Sequence, residues 1–389
     1  MTARLRYAAL VAGVGALLLL VGSFLDPRRA AAAYLAAYAA ALSAALGALS
    51  LVMLGRLTNA VWFVVLRRTA ERVAWLLPLL AAFAVPLLVA VEVLYPWAWA
   101  PARLAAQLGA AVAVKVALKR AWLNVPFFVV RAVVYFAAWL GLGEAMRRAS
   151  LREDQGPDPA AGRRLTRLSA GGLPLLALTM SFAAFDWLMS LSPTWYSTIY
   201  GVTWWAGGVT AALAAVAILA RRAALGPLAG ALKPAHFHAL GKLLFTFVGL
   251  WAYFAFSQLL IIWIANIPVE AAWYAVRLRG SWGWVSAVLL GAQFALPFVV
   301  LLAKAPKRHP AVLAAAGWWL LGAHYVDTYW LVMPEVTPAG FAPSWLDAAA
   351  LLLVVGGAVA FDAWRWRGVA PAARGDPEYA ASLEYAAVA

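Results

Sequence analysis

Six side chains able to carry charge, move a proton or hydrogen-bond sit inside otherwise apolar runs: Glu92, Arg131, Asp186, Gln258, His324 and Asp327. An ionisable group near the middle of a bilayer costs about 2.5–3.5 kcal/mol on insertion scales, so each requires a partner or a cavity. Helical spacing groups them. His324 and Asp327 are i,i+3 and His324 and Thr328 are i,i+4, so the three share a face. Asp186 with Ser190, and Arg131 with Tyr135, are also i,i+4. An imidazole titrates near neutrality and a neighbouring carboxylate moves it across the physiological range. His324 with Asp327 therefore points to proton handling or to a quinone-facing surface. Arg131 calls for an acid, Asp186 or Glu92, and its plainest reading is an ion pair that fixes helix packing.

Other chemistries are excluded by composition. With no cysteine, the chain cannot form disulfides, cysteine-ligated iron–sulfur clusters or a c-type haem attachment. Four histidines, only His324 of them deep in an apolar run, do not make the facing pairs of a b-type haem. No Glu-x-x-His pair suggests a di-metal cage, and no Walker-type glycine motif a phosphate loop. The expected protein has no catalytic residue of its own, binds no metal, and holds no nucleic acid despite its net charge of +15.

The apolar content predicts the helices on which these residues sit. Of 389 residues, 66% are hydrophobic and only 12% charged, about half the usual soluble share of roughly 25%. A single soluble domain and a disordered chain are both ruled out. Apolar runs predict an all-α polytopic membrane protein with ten transmembrane helices: 7–25, 31–55, 73–94, 122–146, 168–190, 197–220, 243–265, 282–303, 311–333 and 345–364. The third is interrupted by Pro78 and Pro86, tolerable where neighbours satisfy the freed carbonyls. Residues 1–150 hold the first five helices, 151–167 a polar cytoplasmic linker, 168–366 the last five, and 367–389 a polar cytoplasmic tail. Trp97, Trp99, Trp122, Trp195, Trp263, Trp282, Trp345 and Trp364 near span ends suggest an interfacial belt.

The basic residues orient the chain. Arg4, Arg6 and those of 56–72, 147–167, 221–242, 304–308 and 365–374 lie on one side, 22 of the 31. Eight lie on the other, and Arg131 falls within a span. The asymmetry places both termini in the cytoplasm. Arg4, Arg6 and the following apolar run share features with a signal peptide, but 19 residues exceed an ordinary apolar core, which favours a retained helix. In this topology Glu92, Arg131, Asp186, Gln258, His324 and Asp327 converge on one outer layer as a polar site. On the inner side His236, His238 and Lys242 open span seven and Glu144 closes span four. Their plain reading is basic side chains reaching the headgroups. Gln293 lies mid-membrane in span eight, where with Thr246, Ser257 and Gln258 it would bridge the two layers as a hydrated relay.

Several stretches are more specific than composition. WLNVPFF (122–128) precedes Arg131, then come FDWLMSLSPTWYSTIYG (185–201), HFHALGKLLF (236–245), WAYFAFSQLLIIWIANIP (251–268), GSW (280–282) and AHYVDTYWLVMPE (323–335). In this order they resemble the F subunit of alternative complex III, a bacterial quinol:electron-acceptor oxidoreductase, over roughly 50–366. That subunit is of the NrfD/PsrC-like membrane type.

The resemblance implies two four-helix bundles, spans two to five and six to nine, plus two peripheral helices, in the bacterial cytoplasmic membrane. It implies as partners a sister NrfD-like membrane subunit, multihaem c-type and iron–sulfur subunits and small membrane anchors. Haem and iron–sulfur clusters would reside only in those partners, and a quinone or menaquinone is the ligand this subunit would meet. The function implied is support of quinol oxidation and conduction of protons past Asp186, Arg131, His324 and Asp327. The chain departs from the family pattern at Ser192 and Thr194, where an acid and a histidine are common, at Ala239, often Asp, and at Trp122, often Tyr. Ala239 removes an inner carboxylate, which leaves His236 or Glu144 as proton entry. A passive scaffold and an autonomous proton-coupled transporter are the alternative readings.

Overall fold

Packing in a bilayer gains little from apolar contact between helices, so close backbone approach decides which helices sit at the centre. The computed structural model describes residues 3–156 and 159–386, and every regular element among them is a helix. In chain order these are α1 (Ala3–Leu25), α2 (Pro27–Leu57), α3 (Val61–Ala74), α4 (Leu77–Val89) and α5 (Val91–Leu94). There follow α6 (Pro101–Leu108), α7 (Ala110–Leu118), α8 (Val125–Glu153), α9 (Pro159–Trp187), α10 (Tyr200–Ala224) and α11 (Pro234–Ala265). The chain continues with α12 (Pro268–Arg277), α13 (Gly280–Leu289), a π-helical turn (Leu290–Ala295), α14 (Leu296–Leu302) and α15 (Lys304–Arg308). It closes with α16 (Pro310–Val332), α17 (Trp345–Arg365) and α18 (Tyr379–Glu384).

Local chemistry sets the helix starts. Asp26 caps α2 by accepting from Arg29 N at 3.1 Å, with Pro27 at the first helical position. Asn124 caps α8 by accepting from Phe127 N at 2.9 Å. At α17, Ser344 and Asp347 form a reciprocal capping box.

Two small-residue helices, α2 and α10, form the centre. Over its apolar stretch α2 is 83% buried, whereas α1 is 17% buried and exposes Leu10, Leu17 and Leu20. A Cβ on Gly47 would lie 2.5 Å from Gly208 O, and one on Gly208 would meet Ser43 O, so the two backbones touch. On its other sides α10 meets α16 at Gly317, whose Cβ would lie 2.7 Å from Ala214 O, and α9 at Gly201. At the periphery α1 runs antiparallel to α17, with Gly15 against Leu353 and Gly356 against Ala12. Gly208→Leu is expected to separate α2 from α10 and destabilise the protein by at least the 1–3 kcal/mol typical of overpacking. Gly141→Ala, where a Cβ meets nothing within 4 Å, should be neutral. Thermal unfolding in mild detergent compares the two.

Nine helices among the described residues are long and apolar enough to cross a membrane. The expected segment 311–333 forms α16, 23 residues long, whose His324 and Asp327 lower its apolar content. The third apolar segment starts earlier than the sequence suggests, at Val61 rather than 73, and breaks between α3 and α4. Around Pro86, tyrosines of α2 bond α4 carbonyls: Tyr34 Oη donates to Phe83 O at 2.7 Å and Tyr38 Oη to Leu80 O at 3.1 Å.

The linker, the tail and the tryptophans take more definite form in the structure. Most of the expected linker 151–167 is helical, α8 running to Glu153 and α9 starting at Pro159, while 157–158 lie outside the described residues. The polar tail folds back, α18 packing on α3, and 387–389 lie outside the described residues. Trp97, Trp99, Trp195 and Trp282 are buried packing residues, so only Trp122, Trp263, Trp345 and Trp364 keep the exposure of an interfacial belt.

Candidate functional site

The polar layer divides into separate nodes. The first is built on Asp186, at the end of α9 and fully buried. Its Oδ1 accepts from Arg131 Nη2 at 2.8 Å and from Trp122 Nε1 at 2.9 Å. Its Oδ2 accepts from Arg131 Nε and Tyr135 Oη, both at 2.8 Å. Arg131 Nη1 donates to Trp122 O at 2.9 Å, and the guanidinium lies 4.2 Å from the Trp122 ring centre and 4.4 Å from that of Phe127. Of the two acids weighed for Arg131, the partner is Asp186. Four donors saturate the carboxylate, so the node locks α8 to α9 and has no free acceptor for a passing proton.

The second node lies where α16 faces the central helices. His324 Nε2 is 2.8 Å from Ser43 Oγ of α2, and Ser43 Oγ donates to Ala40 O at 3.1 Å. His324 Nδ1, on the other side of the ring, has no hydrogen-bond partner. Asp327 Oδ2 accepts from Trp251 Nε1 of α11 at 3.1 Å and forms no ion pair. A Cβ on Gly207 would lie 3.2 Å from the His324 ring and 3.3 Å from Asp327 Oδ2, so both side chains face α10 at one glycine. Thr328 bonds back to Tyr325 O at 3.0 Å and contributes only locally. Here two buried titratable groups sit side by side without a counter-charge, unlike Asp186.

The remaining residues are dispersed. Gln258 Oε1 accepts from Ser197 Oγ and its Nε2 donates to Tyr274 Oη, both at 2.8 Å, a third node of its own. Burial pushes the Tyr274 phenol up to about 12, so it stays protonated around neutral pH. Glu92 is exposed and stands apart from the nodes. The expected single site of six residues is therefore corrected to three nodes and an outlier, because residues at equal depth point to different neighbours.

Gln293 sits on the π-helical turn, fully buried, with neither amide atom hydrogen-bonded. The expected relay does not connect: Thr246 is exposed and bonds back to Lys242 O at 3.0 Å, and Gln258 is engaged elsewhere. The π-turn around Gln293, in place of a regular helix, marks this position as unusual.

At the basic end, His236 Nδ1 accepts from Lys233 N at 3.0 Å and its Nε2 donates to Ser382 O at 2.8 Å, which fixes the fold-back of the tail. His238 is buried with Nδ1 unpartnered, and Lys242 is exposed. Glu144 is surrounded by Arg147 at 2.9 Å, Arg148 at 2.9 Å and Arg365 at 3.3 Å.

Treating basic residues as topology markers conceals a larger network. Arg67 pairs with Asp376 and with Glu153 at 2.9 Å, and Arg56 reaches Asp376 at 3.2 Å. Arg68 pairs with Asp154 and with Glu71 at 2.8 Å, and Ser150 Oγ donates to Glu71 at 2.7 Å. At the opposite end, buried Arg29 holds Asp347 at 2.8 Å and Tyr329 at 3.2 Å. Arg277 holds Glu335 at 3.1 Å and lies 3.5 Å over Trp273, where burial pushes its guanidinium down and Glu335 opposes that shift. Arg131 is thus one of several buried arginines. The signal for the network was the i,i+3 and i,i+4 spacing of Arg67 and Arg68 with Glu71.

Among the described residues no three His, Asp, Glu or Cys side chains gather as a metal ion would need. A cavity of about 280 Å³ opens at the end opposite the basic one, lined by Arg28, Ser192, Thr194, Trp195, Trp273 and Glu335. Arg28 Nε and Trp195 Nε1 there are buried donors without acceptors.

Nine helices among the described residues apolar enough to cross a membrane, with ion pairs and titratable groups buried in the protein, mark a multi-pass helical membrane protein. No protein-family model matches the chain, and no curated protein matches it.

Proposed function

We propose that the chain is an integral membrane subunit of a quinol:electron-acceptor oxidoreductase of the alternative complex III type, supporting quinol oxidation and passing protons at His324 and Asp327. The observation that carries this reading is the second node, two adjacent buried titratable side chains with no counter-charge and an unpartnered imidazole nitrogen. Buried ionisable groups in a bilayer are rare and mark ion or proton pathways. The six ordered sequence motifs, which include this node and the first, support the family assignment. Electrons would travel through haem and iron–sulfur partner subunits, and a quinone headgroup would find donors at Arg28 and Trp195.

In this reading α16 is a tenth span. The helices then group as α2, α3–α4, α8 and α9 in one four-helix bundle and α10, α11, α13–α14 and α16 in a second, with α1 and α17 peripheral. The contacts of α8 with α9, of α4 with α8, and of α16 with α10 and the π-turn support that grouping. The basic end, with 22 of 31 basic residues, faces the bacterial cytoplasm. A scaffold role is the second reading, favoured by the saturated Arg131–Asp186 node.

Purification from membranes in mild detergent, with subunit identification, a haem spectrum and a quinol-oxidation assay, tests the proposal. Co-purifying multihaem and iron–sulfur subunits with quinol-dependent reduction of the haem are expected. A chain that purifies alone, without haem, overturns it.

A further inference from the structure

At the basic end a cavity of about 180 Å³ lies between the start of α1, the middle of α3, the end of α10 and the segment after α17. Four arginines line it, Arg4, Arg68, Arg72 and Arg222, and no acidic side chain does. Their charges are unevenly compensated. Arg72 is held by Asp362 at 2.9 Å through Nε, and Arg4 reaches the same carboxylate only at 3.9 Å. Arg222 forms no ion pair. Arg68 is fully buried, and although its Nη atoms are bonded to Glu71, Ser150 and Asp154, its Nε–H has no acceptor. One carboxylate shared by two arginines, an unpaired third and a buried orphan donor leave this cavity with excess positive charge and unsatisfied N–H groups.

Its position narrows the occupant. Arg222 lies in the last turn of α10, Arg4 in the first turn of α1, and Trp366 caps α17, so the cavity is at the level of helix ends. Leu219 lines it on the side toward the membrane, and α1 beside it exposes Leu10, Val14 and Leu17. An oxyanion with two or three acceptor oxygens matches guanidinium geometry, and basic pockets between helices near the headgroups suit anionic lipids. We propose that this cavity binds a phosphate group, held by Arg4 and Arg222 with Arg68 beneath. The apolar flank favours the phosphodiester of an anionic phospholipid whose acyl chains follow α1, over soluble phosphate. A choline headgroup would bring a cation among four arginines and be rejected.

The test is native mass spectrometry on the full chain purified in mild detergent, titrated with dioleoyl phosphatidylglycerol, dioleoyl phosphatidylcholine or inorganic phosphate. One saturable phosphatidylglycerol site is expected, at least about tenfold tighter than for phosphatidylcholine and weakened about tenfold or more in Arg4→Ala/Arg222→Ala. Arg163→Ala/Arg164→Ala removes two exposed charges elsewhere at the same end and should leave the site intact. Displacement of the lipid by millimolar inorganic phosphate supports the phosphate site and makes soluble phosphate its occupant. Equal binding of both lipids by the wild-type chain without phosphate competition, or equal weakening by both variant pairs, overturns the pocket. The wild-type comparison stands even if the Arg4→Ala/Arg222→Ala chain does not fold.

Discussion

Asp186→Ala is expected to destabilise the protein by about 3–5 kcal/mol, the largest loss of any single substitution at the candidate residues. The carboxylate takes four donors, and removing it leaves the Arg131 guanidinium buried without a counter-charge while Trp122 and Tyr135 lose their acceptor. Replacing the whole pair, Arg131→Met with Asp186→Leu, should cost less than Asp186→Ala alone, because no bare charge then remains in the interior. The midpoint of unfolding in detergent, followed by tryptophan fluorescence, measures both. A loss below about 1 kcal/mol for Asp186→Ala would show that the ion pair does not hold α8 to α9. Because the node has no spare acceptor, the paired replacement should retain quinol oxidation once folded.

The opposite pattern is expected at the second node. Asp327→Asn keeps the size of the side chain and an oxygen for Trp251 Nε1 but removes the ionisable proton. Under the proposed function quinol oxidation should fall by about 10²-fold or more, the usual scale for losing a positioned acid–base group. His324→Gln should act in the same direction, because it removes the only imidazole that faces Ser43 and Gly207. Stability should change little for Asp327→Asn, since no ion pair is broken. Activity within twofold of the wild type in both variants, with the complex assembled, would remove this node from the mechanism and leave the scaffold role. Comparing the two nodes separates function from architecture: Asp186 should govern stability and Asp327 turnover.

Depth was legible in the sequence; direction was not. The position of Asp186, Arg131, His324 and Asp327 along their apolar runs predicts that all four lie toward the same membrane side, and all four are buried within the protein. Glu92 satisfied the same depth criterion as Asp186 and had the same carboxylate, yet it is exposed. Nothing in a one-dimensional pattern distinguishes an acid turned toward α8 from one turned away from it. The arginines at the basic end show the same limit. Arg67 reads as a topology marker until the tail brings Asp376 back across α3, a contact between residues 309 positions apart.

Reading along the chain was enough to establish many apolar spans, basic residues gathered mostly in alternate loops, and an arginine within an apolar run that needs an acid. These follow from composition along a line, because the cost of placing each group in hydrocarbon depends mainly on its depth. Only the packed helices reveal that Asp186 rather than Glu92 pairs with Arg131, that the polar layer divides into separate nodes, and that His324 and Asp327 remain without a counter-charge. Those outcomes depend on the rotation of each helix about its axis and on which neighbour it meets, set here by backbone contacts such as Gly47 with Gly208 and by Gly207 against His324.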